Sequence, residues 1–292
     1  MLFEILGIIA PVFVCAVIGY TWVRSGQSYP SEFVSKLVFN IAAPCLVVSS
    51  ISQVDLSIAA LSQMALASVM ALALLLGFSF FVIKTLGHDV RLFSVSLTFA
   101  NVGNMGLPLC LFAFGQEGLA LAVAYFMVIS IAHFSLGTAL ASGERISWGH
   151  FFKNPILFSI AIATFLVVTD YSLPHWINNS VTLIGQLTIP LMLITLGVSL
   201  ANIQVKQWGL GLLYAILRFV LGGVVAVIVI WALDLNGVAR QVVILQSLMP
   251  IAVFNYLFAL KSGREVDTVA SMVLISTLLA TVVIPLALYG LL

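Results

Sequence analysis

Hydrophobic positions along this chain run in long blocks rather than in the stripe of an amphipathic helix. Ten apolar blocks fall at about 2–22, 33–53, 59–84, 91–114, 118–141, 155–171, 177–201, 208–233, 238–260 and 267–291. About 20 helical residues cross the hydrocarbon core of a bilayer, so each block predicts one transmembrane helix, the sixth being the shortest. Two blocks break in the middle. The fourth contains Asn101-Val-Gly-Asn104-Met-Gly-Leu-Pro108, and the ninth contains Gln246-Ser-Leu-Met-Pro250 with Asn255 just beyond. Interrupted backbone at membrane depth is tolerated only where it is buried in protein or lines a wet cavity. A matched pair of interruptions in the two halves of a chain points to a transporter's binding site.

The polar connections are short and give the direction of the spans. On one side lie Arg24, Lys36, Lys84, Arg91, Arg145, Lys153, Lys206, Lys261 and Arg264; the other side has only Arg240, and Arg218 lies inside a span. Cytoplasmic loops collect Lys and Arg, so this bias predicts both termini on the extracytoplasmic side. The longest connection, around Ser142 to Asn154, carries Glu144, Arg145, His150 and Lys153. Glu4 is the only charge before Arg24, and no small-residue cleavage pattern follows, so residues 2–22 read as a retained span rather than a signal peptide.

Ten spans with both ends outside divide into five and five, residues 1–145 and 146–292, the second half entering from the opposite side. Pro44, in Asn40-Ile-Ala-Ala-Pro44, is echoed by Pro190, in Gln186-Leu-Thr-Ile-Pro190. Gly115-Gln-Glu117 is echoed by Gly263-Arg-Glu265 at nearly the same separation. The expectation is an all-α membrane protein built from two inverted repeats, with broken helices four and nine crossing at the midplane.

Composition agrees with lipid as the solvent: 62% of residues are hydrophobic, 7% are charged, and mean hydropathy is +1.22. A net charge of +1 and the lack of any basic run exclude a nucleic-acid partner. Cys15, Cys45 and Cys110 are odd in number, form no CxxC and read as small buried hydrophobes.

Candidate chemistry centres on the two breaks. Proline cannot donate a backbone hydrogen bond and suits the first turn of a restarting helix. The outer half of span four, near Pro108, and the inner half of span nine, after Pro250, then begin near the midplane. Their N-termini, each equivalent to about half a positive charge, approach one centre from opposite sides and favour an anion there. Asn101, Asn104 and Asn255 can satisfy freed backbone groups or bind a ligand. Pro44 and Pro190 read as scaffold kinks, with Asn40 and Gln186 as repair groups. Arg218 is the one charge deep within a span. An Arg at a helix centre costs about 2.5–3.5 kcal/mol on insertion scales, so it is expected to face the protein interior or a cavity. It either snorkels, pairs structurally with carbonyls or attracts an anionic substrate. His133 in span five either titrates or is a hydrogen-bonded core residue.

Absences narrow the function. No span centre holds Asp or Glu, and HExxH, GxSxG, CxxC, paired intramembrane Asp, Walker and filter motifs are missing. These point away from a carboxylate-based antiporter, an enzyme, a channel and an ATP-driven pump, and they call for no cofactor and no metal.

The run ending Gly106-Leu107-Pro108, the later Met249-Pro250-Ile-Ala-Val-Phe-Asn255, the Arg218-bearing eighth span and the five-plus-five layout together resemble the auxin efflux carrier family. The likeness covers essentially the whole chain, which is similar to a compact bacterial member without the long cytoplasmic loop of plant carriers. That resemblance implies the fold of sodium/proton antiporters and bile-acid symporters. Helices at 2–53 and 155–201 would form a scaffold, often dimeric, and those at 59–141 and 208–291 a mobile unit. It also implies a carboxylate substrate, auxin-like acids in plants and dicarboxylates such as malate or malonate in bacteria. The crossover then corresponds to Asn101, Pro108, Pro250 and Asn255.

The leading expectation is an elevator-type carrier of small organic anions in a bacterial inner membrane, leaning to export or facilitated flux, with Arg218 adding positive potential. A sodium- or proton-coupled symporter is the alternative, with Gln246, Asn104 and unwound carbonyls as oxygen ligands for sodium. A non-transporting membrane receptor is the third.

Overall fold

The computed structural model describes residues 2–52, 54, 56–142, 155–169 and 171–292. The connection bearing Glu144, Arg145, His150 and Lys153 lies outside the described residues. Among the described residues the chain is helical, and its one β-type pairing is an isolated bridge between Ala100 and Ile251.

Helix α1 (Leu2–Arg24) is followed by α2 (Ser31–Leu37), a π-helical turn at Val38–Ala42 and α3 (Ala43–Ser52). Pro44 cannot donate to the carbonyl of Asn40, and the widened turn sits where that bond is lost. Helix α4 (Ile58–Leu86) begins where the Ser57 hydroxyl accepts from the Ala60 N–H and ends at Gly87. Helix α5 (Val90–Thr98) is capped by the Asp89 carboxylate, which accepts from the Arg91 N–H at 2.9 Å. It stops after nine residues, about half the depth of the bilayer core.

The chain restarts as a π turn at Val102–Gly106 and continues into α6 (Leu107–Ala132). Gly115 splits α6 with φ 66° and ψ −157°, a conformation closed to residues with a Cβ. The chain folds back there, so α6 holds the outer half of expected span four and most of span five. A third π turn, His133–Gly137, leads into α7 (Thr138–Ser142).

The second half supplies α8 (Pro155–Thr169), α9 (His175–Gly185), α10 (Thr188–Asn202), α11 (Trp208–Leu233), α12 (Gly237–Ser247), α13 (Val253–Ser262) and α14 (Val266–Leu291). Pro190 falls in the first turn of α10, after a break at Gln186–Leu187, where its missing N–H removes no helical bond.

Among the described residues, seven helical stretches are by themselves long and apolar enough to cross a membrane: Phe3–Arg24, Ser31–Ser52, Ile58–Leu86, Val102–Ala141, His175–Asn202, Trp208–Leu233 and Val266–Leu291. The sequence predicts ten spans. The difference lies in the expected fourth, fifth, sixth and ninth. The fourth and ninth are split into short pieces, the fifth is continuous with half of the fourth, and the sixth is described over only Pro155–Thr169.

Large apolar side chains cover the outside, among them Phe3, Phe81, Val227 and Leu286. Trp22, Trp176, Trp208 and Trp231 are exposed near helix ends, where an amphipathic ring spans apolar and polar surroundings. Lipid removes the hydrophobic drive for helix association, so close backbone approach must hold helices together. Helix α1 lies along α10 in this way: a Cβ at Gly19 would overlap the Ile194 carbonyl, and one at Gly197 the Ala16 carbonyl. Helix α3 packs on α8 and α9, whereas α4 packs on α5, α6 and α11, and α11 on α14. Most buried hydroxyls, including Ser68, Ser79, Ser96, Ser271 and Ser276, belong to this second group.

Candidate functional site

The two interruptions meet. After α5 the backbone is extended at Phe99 (φ −91°, ψ 104°), and before α13 it is extended at Ala252 (φ −67°, ψ 138°). These short extended segments run antiparallel. The Asn101 N–H donates to the Pro250 carbonyl at 2.7 Å, and the Ala252 N–H donates to the Phe99 carbonyl at 3.1 Å. Proline has no donor, and here only its acceptor is needed. The Ile251 N–H between them donates to the Ser276 hydroxyl at 3.1 Å, so the broken backbone is satisfied by protein.

Helices restart on both sides of this bridge. The Asn101 carbonyl accepts from the N–H groups of Met105 and Gly106, and the Ala252 carbonyl from that of Asn255. A cavity of about 30 Å³ lies against both restarts, lined by Asn101, Val102, Gly103 and Asn104 on one and by Ala252 and Phe254 on the other. Its remaining wall includes Phe39, Phe126, Ser130, His133, Phe134 and Met192. All three π turns contribute, through Phe39, through Val102 to Asn104, and through His133 with Phe134. Such turns are frequent at functional sites because they swing side chains out of helical register. Among the described residues, none that lines the cavity is an Asp, Glu, Lys or Arg.

Side-chain amides complete the arrangement. The Asn255 Nδ2 donates to the Phe99 carbonyl at 3.0 Å, and its Oδ1 lies 2.8 Å from the His133 Nε2. The Asn101 Nδ2 is buried and has no hydrogen-bond partner among the described residues. It is a spare buried donor of a residue that lines the cavity. Two helix N-termini, a spare amide donor and no acidic side chain make a small site suited to an anionic oxygen.

The sequence profile of a family described as "Membrane transport protein", the auxin efflux carrier-like group, matches residues 4–146 and 140–288. The chain belongs to that family. An uncharacterized transporter of Methanothermobacter thermautotrophicus is 27% identical over 265 residues, covering 86% of each chain. One of Methanocaldococcus jannaschii is 28% identical over 230 residues, 74% of this chain and 72% of its own. Together with the apolar helices, membership makes this an integral membrane transporter.

Other residues singled out in the sequence take different places in the transporter. Pro108 is buried in the first turn of α6, six residues beyond the restart at Val102, and does not line the cavity. It marks the change from π turn to α-helix rather than the break. Pro250 lies in the break itself. Arg218, on α11, is only 1% exposed, and its Nη2 donates to the Ser247 carbonyl at 2.9 Å, at the end of α12. Its Nε and Nη1 have no partner among the described residues. The guanidinium thus meets a helix C-terminus, whose carbonyls carry about half a negative charge, rather than the cavity.

Gln246 presses its amide on Gly106, where a Cβ would overlap the Oε1. Both its polar side-chain atoms lack partners among the described residues. Asn104 lines the cavity and Gln246 does not, so the structure does not bring the two into one lining. Pro190 and Gln186 instead border a separate pocket of about 240 Å³ with Ser49, Ser50 and Gln116.

The aromatic wall escaped sequence reasoning. Phe39, Phe134 and Phe254 pack edge to face with centroids 5.2–5.6 Å apart. In a chain this rich in Phe, nothing in the sequence distinguishes them. Ser130 and His133, nearly one turn apart in an apolar span, were the available signal.

Proposed function

We propose that this transporter is an elevator-type carrier of small organic anions, mono- or dicarboxylates. The observation that carries the reading is the single cavity bordered by both helix restarts, at Val102 and Val253, with the unpaired Asn101 amide and no acid in its lining. A carboxylate oxygen there accepts from Asn101 and the restart amides, while Arg218 adds positive potential from behind the crossover.

The full architecture on this reading is ten spans in two inverted repeats, residues 1–145 and 146–292. The reciprocal bonds between Phe99–Asn101 and Pro250–Ala252 support it, since each half offers the same donor and acceptor. Helices at 2–53 and 155–201 form the scaffold, through which a homodimer assembles, and those at 59–141 and 208–291 move. The cavity supports movement as well. About 30 Å³ holds little more than water, so a carboxylate enters only when Phe39 and Met192 separate from the α6 and α13 side.

The termini face the extracytoplasmic side, by the Lys and Arg bias, in a cytoplasmic membrane. Flux follows the substrate's electrochemical gradient. At 100 mV, inside negative, export of a bare anion gains about 2.3 kcal/mol per charge.

Proteoliposomes preloaded with malonate or malate and supplied with the labelled acid outside test this reading. Saturable counterflow, lost in Asn101→Ala with Asn255→Ala, is expected. Binding without flux would identify a receptor instead. Flux that requires sodium, abolished by choline replacement, would replace facilitated movement by symport. Unchanged flux in the double variant would remove the crossover as the site.

A further inference from the structure

Among the described residues His133 is the one titratable group lining the crossover cavity, and its hydrogen bonding settles where a proton can go. The Phe99 carbonyl can only accept, so the Asn255 group bonded to it at 3.0 Å is the Nδ2 donor. The Asn255 Oδ1 therefore faces the His133 Nε2 at 2.8 Å, and that nitrogen carries a hydrogen. Any second proton must bind Nδ1. The ring stacks on Phe99 with centroids 4.3 Å apart and meets Phe258 edge-on at 5.2 Å. Aromatic faces stabilise an imidazolium without neutralising it.

Among the described residues no carboxylate lines the cavity either. Among the described residues, the rings that meet His133 are Phe99, Phe134, Phe254 and Phe258, and its hydrogen-bond partner is Asn255. Titratable residues on the surrounding helices, namely Arg91, Cys110, Glu117, Tyr125, Tyr256 and Lys261, do not line the cavity. Glu32 and Lys36, ahead of the Phe39 turn, pair with each other at 2.7 Å on the exposed surface.

We propose that His133 is the proton-carrying residue of this transporter, its Nδ1 taking up one proton with each carboxylate and releasing it with the carboxylate on the opposite side. The inference rests on the anion-carrier reading and replaces the bare anion by an anion with its proton. Loading forms an Nδ1–H bond with a proton from water on the open side; unloading breaks that bond and returns the proton to water on the other. The Nε2–H stays on Asn255 throughout. The imidazolium supplies the positive charge that the cavity lining otherwise lacks, so cation and anion each favour the other's entry. For a monoanion the loaded site gains no net charge.

The test uses full-length protein in proteoliposomes with internal pyranine, the membrane potential clamped by potassium and valinomycin, and malonate as probe. Wild-type counterflow of labelled malonate comes first, and its absence overturns the carrier reading together with this one. Where counterflow is present, malonate influx should acidify the lumen, and one pH unit should sustain a roughly tenfold malonate gradient. Wild-type flux without lumen acidification overturns the proposal while leaving the carrier reading standing. In His133→Gln, whose amide can still donate to Asn255, and in His133→Asn, flux should fall and the remainder should carry no proton. Residual flux that still acidifies the lumen in either folded variant overturns the assignment to His133.

Discussion

Asn101 donates its backbone N–H to the carbonyl of Pro250 at 2.7 Å, and that bond holds together two helices broken in different halves of the chain. Its counterpart runs the other way, from the Ala252 N–H to the Phe99 carbonyl at 3.1 Å. The crossover is therefore held by main chain, reinforced by the Asn255 side chain on the same Phe99 carbonyl. Asn255 also ties the crossover to His133, whereas the Asn101 Nδ2 has no partner among the described residues.

The contact between Gly106 and Gln246 predicts a compensating pair. Gly106→Ala places a Cβ on the buried Gln246 amide and should lower stability by about 1–3 kcal/mol. Gln246→Ala removes the obstacle, so the double variant should recover most of that loss. Gly197→Ala meets the main-chain carbonyl of Ala16, which no side-chain substitution can move. Thermal unfolding in detergent reads all four proteins; additive losses at 106 and 246 would contradict the contact.

Arg218 predicts a separation of stability from transport. Its buried guanidinium makes one hydrogen bond, to Ser247, and leaves two nitrogens unpaired among the described residues. The desolvation of a buried ion amounts to several kcal/mol, more than the 1.5–3 kcal/mol typical of one charged hydrogen bond. Arg218→Met should therefore melt no lower than wild type. It should nonetheless bind the anion about tenfold more weakly if the lost potential is worth about 1.4 kcal/mol. Arg218→Lys should fall between them. A variant that melts much lower but transports normally would assign Arg218 to architecture alone.

Phe39 and Phe254 offer a direct test of movement. Their ring centroids lie 5.4 Å apart, one on the α2–α3 turn and the other at the start of α13. With Cys15, Cys45 and Cys110 replaced, Phe39→Cys with Phe254→Cys should be bridged by mercuric ion. Bridging should stop malonate flux, and excess thiol should restore it. Undiminished flux through a protein shown to be fully bridged would mean that the two sides do not separate.

Much of this protein is legible from residue order because the bilayer allows few alternatives. An apolar block must be a helix, and a run such as Asn101-Val-Gly-Asn104 inside one must be shielded by protein. The breaks, the polar residues within them and the membrane class follow from that constraint alone. Boundaries inside the break do not. Pro108 looks like the restart, yet the helix resumes at Val102, because the Asn101 carbonyl can accept from Met105 and Gly106 without any proline.

What only packing decided is direction and company. A buried Arg must face inward, but whether Arg218 meets a substrate or the end of α12 depends on how α11 lies against α12. His133 shares an otherwise apolar face with Ser130 in the sequence. Its link through Asn255 to Phe99 exists only because α13 brings residue 255 across to the end of α5. Period and polarity are local properties of a chain, whereas the partners of a buried polar group are chosen by distant segments. A solvent that forbids unpaired groups reveals the first kind in residue order and leaves the second to the fold.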